Sequence, residues 1–224
     1  MKAALLFNSF SLQSLVRFYL DLNGAAFGVV EGADLDETAR IIALSQEALK
    51  GGVSAGGTVA QARTRCPELQ IVPRQPRLEE SAIESLRQIA LSFSPRFKVS
   101  EANDQVYLEL DLRGLESLLG DLEEVAENLL EEVSNNGFKA TIGLAPTQKL
   151  ARLYAACGYF SLKQAPDGFW KTVSISDIDI LKGVQARLLR LGVRTVWELL
   201  ELPSRALSER VGIAALEVCE VIRG

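Results

Sequence analysis

The chain opens on a short apolar run, residues 2–8 (KAALLFN), which reads as a buried strand. Asp36 is placed to cap a helix whose positions Ile41, Ile42, Ser45, Ala48 and Leu49 share one face. Gly51, Gly52, Gly56 and Gly57 predict a loop, after which Thr58 caps a short helix that Cys66-Pro67 ends. Residues 69–73 (LQIVP) are extended. The next stretch is more regular. Ser81 with Glu84 has the spacing of a capping box, and Ile83, Leu86, Ile89, Ala90 and Phe93 make a helical stripe. Residues 96–101 and 105–112 alternate like two strands joined by Ala102-Asn103-Asp104. Leu118, Leu122, Val125, Leu129 and Val133 mark another helix, which Asn135-Asn136-Gly137 stops. Residues 138–145 (FKATIGLA) form a strand, and Thr147 opens a helix running to about Cys157. From Pro166 onward only helical spacing recurs, broken at Gly183, Gly192, Pro203 and Gly212.

Setting residues 20–76 aside, the order is strand, helix, strand, strand, helix, strand. This βαββαβ order predicts an α+β, ferredoxin-like domain over residues 1–19 and 77–165. Residues 20–76 are a small insertion after the first strand, and residues 166–224 an all-helical domain.

Composition narrows the function classes. With 224 residues, 48% hydrophobic and 24% charged, the chain is long and apolar enough to bury a core. No apolar run approaches the roughly 18 uncharged residues of a spanning helix. No small-residue cleavage site follows the N-terminal run, which a first strand explains better than a signal peptide. A cytoplasmic protein without membrane contact is expected. The three cysteines, Cys66, Cys157 and Cys219, are odd in number and far apart, which fits a reducing compartment and gives no zinc-site spacing. Histidine is absent, which removes every scheme that needs an imidazole. The net charge of −5 is unusual for a protein that grips duplex DNA unaided, because neutralised phosphates supply much of such affinity. A nucleic-acid role therefore needs a local patch or a partner.

Four stretches carry a family likeness. Gly52-Val53-Ser54-Ala55-Gly56, with Ala60-Gln61-Ala62-Arg63 and Cys66-Pro67-Glu68-Leu69, is the first. The second is the hairpin Asn103-Asp104-Gln105-Val106-Tyr107-Leu108-Glu109-Leu110, and the third Ala140-Thr141-Ile142-Gly143-Leu144-Ala145-Pro146 with Leu150-Ala151-Arg152-Leu153. The fourth is Leu191-Gly192-Val193-Arg194-Thr195-Val196-Trp197-Glu198-Leu199. Together, in this order and spacing, the chain resembles Y-family translesion DNA polymerases of the DinB/UmuC kind. The resemblance implies a palm over residues 1–19 and 77–165, fingers over 20–76 and a helix-hairpin-helix-like thumb over 166–224. It provides no little-finger segment up to Gly224, which implies a shortened or minimal relative.

The resemblance also shows what is missing. Nucleotidyl transfer uses two divalent ions about 4 Å apart. Magnesium requires hard oxygen ligands, so carboxylates must converge. The family's first carboxylate position falls on Asn8 and its second position in that strand end on Phe10. The hairpin pair is Asp104-Gln105, leaving one carboxylate of three. The aromatic gate that excludes ribonucleotides corresponds to Gln13. The triphosphate-holding Tyr and Arg correspond to Gln46 and Leu49, while Lys50 matches a family Lys. The palm-end Lys falls near Tyr159, with Lys163 as a shifted substitute. No metal, cofactor or nucleotide site is therefore expected.

The pattern most resembles ImuB-type proteins, the inactive polymerase homologues of bacterial damage-induced (SOS) mutagenesis. That likeness implies an accessory role with a sliding clamp, a RecA-like accessory protein and an error-prone C-family polymerase as partners. Gln185-Ala186-Arg187-Leu188-Leu189 faintly resembles a clamp peptide but falls within a helix. Primer-template DNA is a further possible partner, through Lys182, Gly183, Arg187, Arg190 and Arg194 near a thumb hairpin that lacks its second glycine. A working polymerase with unusual ligands, using magnesium, is the alternative reading. The acidic positions Glu123, Glu124, Glu127, Glu131 and Glu132 read as a solvated helix face.

Overall fold

The strands in chain order are β1 (Lys2–Phe7), β2 (Phe27–Val30), β3 (Ile41–Leu44), β4 (Gln70–Pro73), β5 (Phe97–Ala102), β6 (Gln105–Asp111) and β7 (Thr141–Ala145). Helices α1 (Phe10–Phe18), α2 (Gln46–Lys50), α3 (Val59–Arg65), α4 (Pro76–Phe93), α5 (Leu122–Asn135) and α6 (Gln148–Cys157) alternate with them. The C-terminal part adds α7 (Asp167–Trp170), α8 (Gln185–Arg190), α9 (Val196–Leu200), α10 (Ser204–Ala206) and α11 (Ile213–Arg223). This computed structural model describes residues 1–32, 35–54, 56–102, 104–115, 120–178 and 181–224, the side chains of Ala206 and Ser208 excepted. Ala55, Asn103 and Leu118, which carry parts of the sequence patterns, lie outside the described residues.

The larger sheet has the order β5-β6-β1-β7, each neighbouring pair antiparallel. That is the strand order of a ferredoxin-like βαββαβ unit, as the sequence predicts. β1 lies inside, covered on both faces. This is why Ala3 through Phe7 read as an unbroken apolar run rather than an alternation. Ala3, Leu5 and Phe7 pack with Leu86, Ala126 and Leu129 of α4 and α5. Ala4 and Leu6 face the other way, joining α6 and the C-terminal helices in one continuous core.

Gly143 sets the spacing on that second face. A Cβ there would lie 2.5 Å from the Ala155 nitrogen and 2.6 Å from Tyr154 Cβ, and would also collide with the Ala151 carbonyl. Only glycine lets β7 and α6 approach this closely.

Residues 27–73 form the second sheet, order β3-β2-β4, with β2 antiparallel to β3 and parallel to β4. Here the sequence expectation fails. Ile41–Leu44 is a strand, not part of a helix from Asp36. Ile41 and Ile42 are β-branched and gain more from packing on a sheet, where Ala43 sits opposite Val29 and Leu44 opposite Gly28. Asp36 closes a turn instead, its Oδ1 accepting from the Thr38 and Ala39 nitrogens. The helix begins only after Ser45, whose hydroxyl accepts from the Ala48 N–H at 3.2 Å.

The Ser81–Glu84 capping box is also overturned. α4 starts five residues earlier, with Pro76 in its first turn, so Ser81 is interior. The predicted strand over 138–145 is shorter, beginning at Thr141. By contrast, Thr58 and Gln61 form a full capping box on α3, and Thr147 caps α6.

Candidate functional site

The register of β1 against β6 places Phe7 opposite Val106, so the chain leaving β1 meets the chain entering β6. Asn8 and Gln105 face each other there. The Gln105 Nε2 donates to Asn8 Oδ1 at 2.6 Å. Two of the three metal-ligand positions implied by the resemblance are thus neutral amides that satisfy one another.

The third, Asp104, is turned to another task. Ser9, the N-cap residue of α1, has φ 49° and offers no side-chain cap. Asp104 caps that helix from a distance in sequence: its Oδ1 accepts from the Ser11 N–H at 2.7 Å, and its carbonyl accepts from the Phe10 N–H at 2.9 Å. A carboxylate at a helix N-terminus also gains from the helix dipole. The turn holds Asp104 at φ 60°, a left-handed conformation that Asp and Asn adopt more readily than most residues. Burial pushes its carboxyl above the usual range, opposed chiefly by the Ser11 N–H. Glu79 adds to the rise and Arg74 counters it. Glu79 is itself buried and held by the Arg74 guanidinium, with two contacts of 2.8 Å.

Phe10 and Gln13 are likewise committed to the fold, whereas the implied nucleotide positions on α2 are not. Phe10 is 2% exposed, stacked parallel to Phe138 at 6.1 Å and edge-on to Phe7 at 6.3 Å. Gln13 Nε2 donates to the Asn8 carbonyl at 2.8 Å and the Lys139 carbonyl at 2.9 Å, while its Oε1 accepts from the Lys139 N–H at 2.8 Å. It ties α1 to the approach of β7 and presents no aromatic face. Gln46, Leu49 and Lys50 are exposed on α2, and Lys50 lies 3.9 Å from Glu47. Tyr159 packs against Tyr154 and Phe169, its hydroxyl donating to the Lys163 carbonyl at 3.3 Å, and Lys163 is exposed.

This donor set does not fit a pair of divalent ions. Amide oxygens lack the charge that offsets a metal's dehydration, and the single carboxylate already accepts a helix N–H. Among the described residues, no group of three or more His, Cys, Asp or Glu side chains is arranged to hold a metal.

The cationic positions of the C-terminal helices scatter in role. Lys182 and Gly183 are exposed in the turn before α8. Arg187 donates to the Val211 carbonyl at 2.6 Å, joining α8 to the turn before α11. Arg190 and Arg194 are exposed, the Arg194 nitrogen donating to Glu198 at 2.6 Å. Within the clamp-like stretch, Leu188 is fully buried, which withdraws it from any peptide-like recognition.

Sequence reasoning missed Ser11 and Lys139, whose backbone groups engage Asp104 and Gln13. The available signal was the Ser9-Phe10-Ser11 run ahead of Leu12, Leu15 and Val16, a helix start. It also assigned no role to Arg152, whose guanidinium lies 4.0 Å over the Tyr107 ring and 3.5 Å from buried Glu109.

DNA polymerase IV of Moorella thermoacetica is 27% identical over 213 residues, covering 88% of this chain and 50% of that protein. Protein ImuB of Caulobacter vibrioides is 27% identical over 169 residues, covering 74% of this chain and 36% of that protein. The chain thus spans half or less of the length of these curated relatives. Among solved structures, an insertion ternary complex of Dbh DNA polymerase matches all of this chain and 67% of that one, with TM-score 0.74 and 20% identity. DinB from Sulfolobus solfataricus matches with the same coverage, identity and TM-score. The fold is therefore that of Y-family polymerases, an α+β palm with a fingers insertion followed by a helical thumb. The impB/mucB/samB family pattern covers residues 5–156, and the chain belongs to that family.

Proposed function

We propose that this chain is a non-catalytic, polymerase-like accessory protein of error-prone translesion synthesis. Its palm is residues 1–19 and 77–165, its fingers 20–76 and its thumb 166–224. The observation that carries the reading is the closed hydrogen bonding of the metal-ligand positions. Asn8 and Gln105 bond to each other, and Asp104 caps α1. Gln13, in the place of the aromatic gate, bridges two backbone segments. Asn8, Gln105 and Gln13 each have a structural use, so together they support reading this end of the palm as scaffold. By its likeness to ImuB, the chain acts as an adaptor alongside a sliding clamp, a RecA-like accessory protein and an error-prone C-family polymerase.

A primer-extension assay tests this. With deoxynucleotides and either magnesium or manganese, no template-dependent incorporation is expected. Incorporation that disappears in Asp104→Ala, with the variant folded, would overturn the proposal. It would establish the second reading, a working polymerase, which the DNA polymerase IV relatives and the retained Asp104 favour.

A further inference from the structure

The sheet face opposite α4 and α5 carries a cavity whose lining includes Gln105 but otherwise none of the positions discussed above as metal ligands. It measures about 460 Å3 and lies between the start of β6, α6 and α11. Tyr107, Leu153, Ala156, Ile178, Val218 and Val221 give it mainly apolar walls. Its volume falls within the roughly 300–1,000 Å3 of pockets that enclose a small ligand.

The charges at the lining are few and unequal. Lys149 and Arg152 stand against Glu217. Lys149 is exposed and makes no ion pair among the described residues. The Arg152 guanidinium lies 4.0 Å over the Tyr107 ring, and its Nη1 is 3.5 Å from Glu109. A guanidinium fixed in this way retains donors and loses little freedom on meeting an anion. Apolar walls and an acid suit a nucleic-acid backbone poorly, since they offer phosphates neither charge nor hydrogen bonds.

We propose that this cavity binds an apolar group bearing one negative charge, such as a carboxylate or sulfonate on an aromatic or branched aliphatic body. The proposal goes beyond the accessory reading: Gln105 lines the cavity, but the binding requires neither metal nor nucleotide.

Titration with 1-anilinonaphthalene-8-sulfonate, followed by fluorescence, tests it on the whole chain. Saturable binding of one dye per folded chain is expected. Val221→Trp and Ala156→Phe, which fill the cavity from α11 and α6, should abolish it. Lys149→Glu should weaken it about fivefold, the effect of one surface charge. If Val221→Trp lowers the unfolding temperature, Ala156→Phe and the exposed Lys149→Glu carry the test. Absent binding, binding indifferent to both filled variants, or dye displacement by primer-template DNA that depends on Lys149 would each overturn the proposal.

Discussion

Gln105 and Asn8, 97 residues apart in the chain, share a 2.6 Å side-chain hydrogen bond at the place where β1 and β6 release their ends. Two carboxylates at that separation would repel, and one would hold its proton or recruit a cation. Two amides need neither. The two positions thus form one neutral hydrogen-bonded pair that stands without a cation.

Placing carboxylates at both positions should create a need for a cation. The double variant Asn8→Asp/Gln105→Glu, with Asp104 in place, is expected to lose about 1–3 kcal/mol in chelator through like-charge repulsion. Millimolar magnesium should recover part of that loss by binding the folded state. Thermal unfolding with and without chelator measures both, and the unsubstituted chain should show no magnesium-dependent shift.

Asp104 supplies a cap, and its variants should sort accordingly. Asp104→Asn keeps an acceptor for the Ser11 N–H and tolerates the positive φ, so its stability should stay within about 0.5 kcal/mol of the parent. Asp104→Ala loses the cap and strains the turn, costing about 2 kcal/mol. Denaturant unfolding resolves a difference of that size.

Burial raises the Asp104 carboxyl above its ordinary value of 3.8, and this gives a pH signature. A raised folded-state value favours the folded chain most when the group is protonated. Its contribution is full below 3.8 and is lost as pH rises through the elevated folded value. The unfolding free energy of the parent minus that of Asp104→Asn should therefore fall as pH climbs from 3.8 through the elevated folded value. A flat difference over that range would show that the carboxyl is not perturbed.

Gly143→Ala should cost about 3 kcal/mol or more, because the added methyl meets backbone atoms of α6 that cannot move independently. Restoring a small residue elsewhere in α6 should not rescue it, since the collisions with Ala151 and Ala155 are with main-chain atoms. Unfolding midpoints of Gly143→Ala and of Gly143→Ala/Ala155→Gly compare the two.

Gln13→Ala removes three hydrogen bonds linking α1, Asn8 and Lys139. These lie at an exposed position, so a loss of about 1–2 kcal/mol is expected rather than the sum of three buried bonds. Hydrogen exchange should quicken first at the Lys139 amide, whose acceptor is Gln13 Oε1.

The sequence by itself determined the larger sheet and its helices. Continuous apolar runs, period-two alternation and capped apolar stripes are local signals, and β1, β5, β6, α5 and α6 carry them strongly. It also determined that charge is missing at Asn8 and Gln105, since a residue's charge needs no coordinates. Only the tertiary structure decided the rest. Ile41–Leu44 has a side-chain spacing that fits a helix, and pairing with Phe27–Val30, itself too short to declare a strand, made it one. Asp104 reads locally as a turn residue. Its use as the cap of α1 depends on a partner 93 residues away, brought near by the β1–β6 register. Local preference is written along the chain, whereas the partner that satisfies a buried polar group is chosen by which distant segments the sheet brings together.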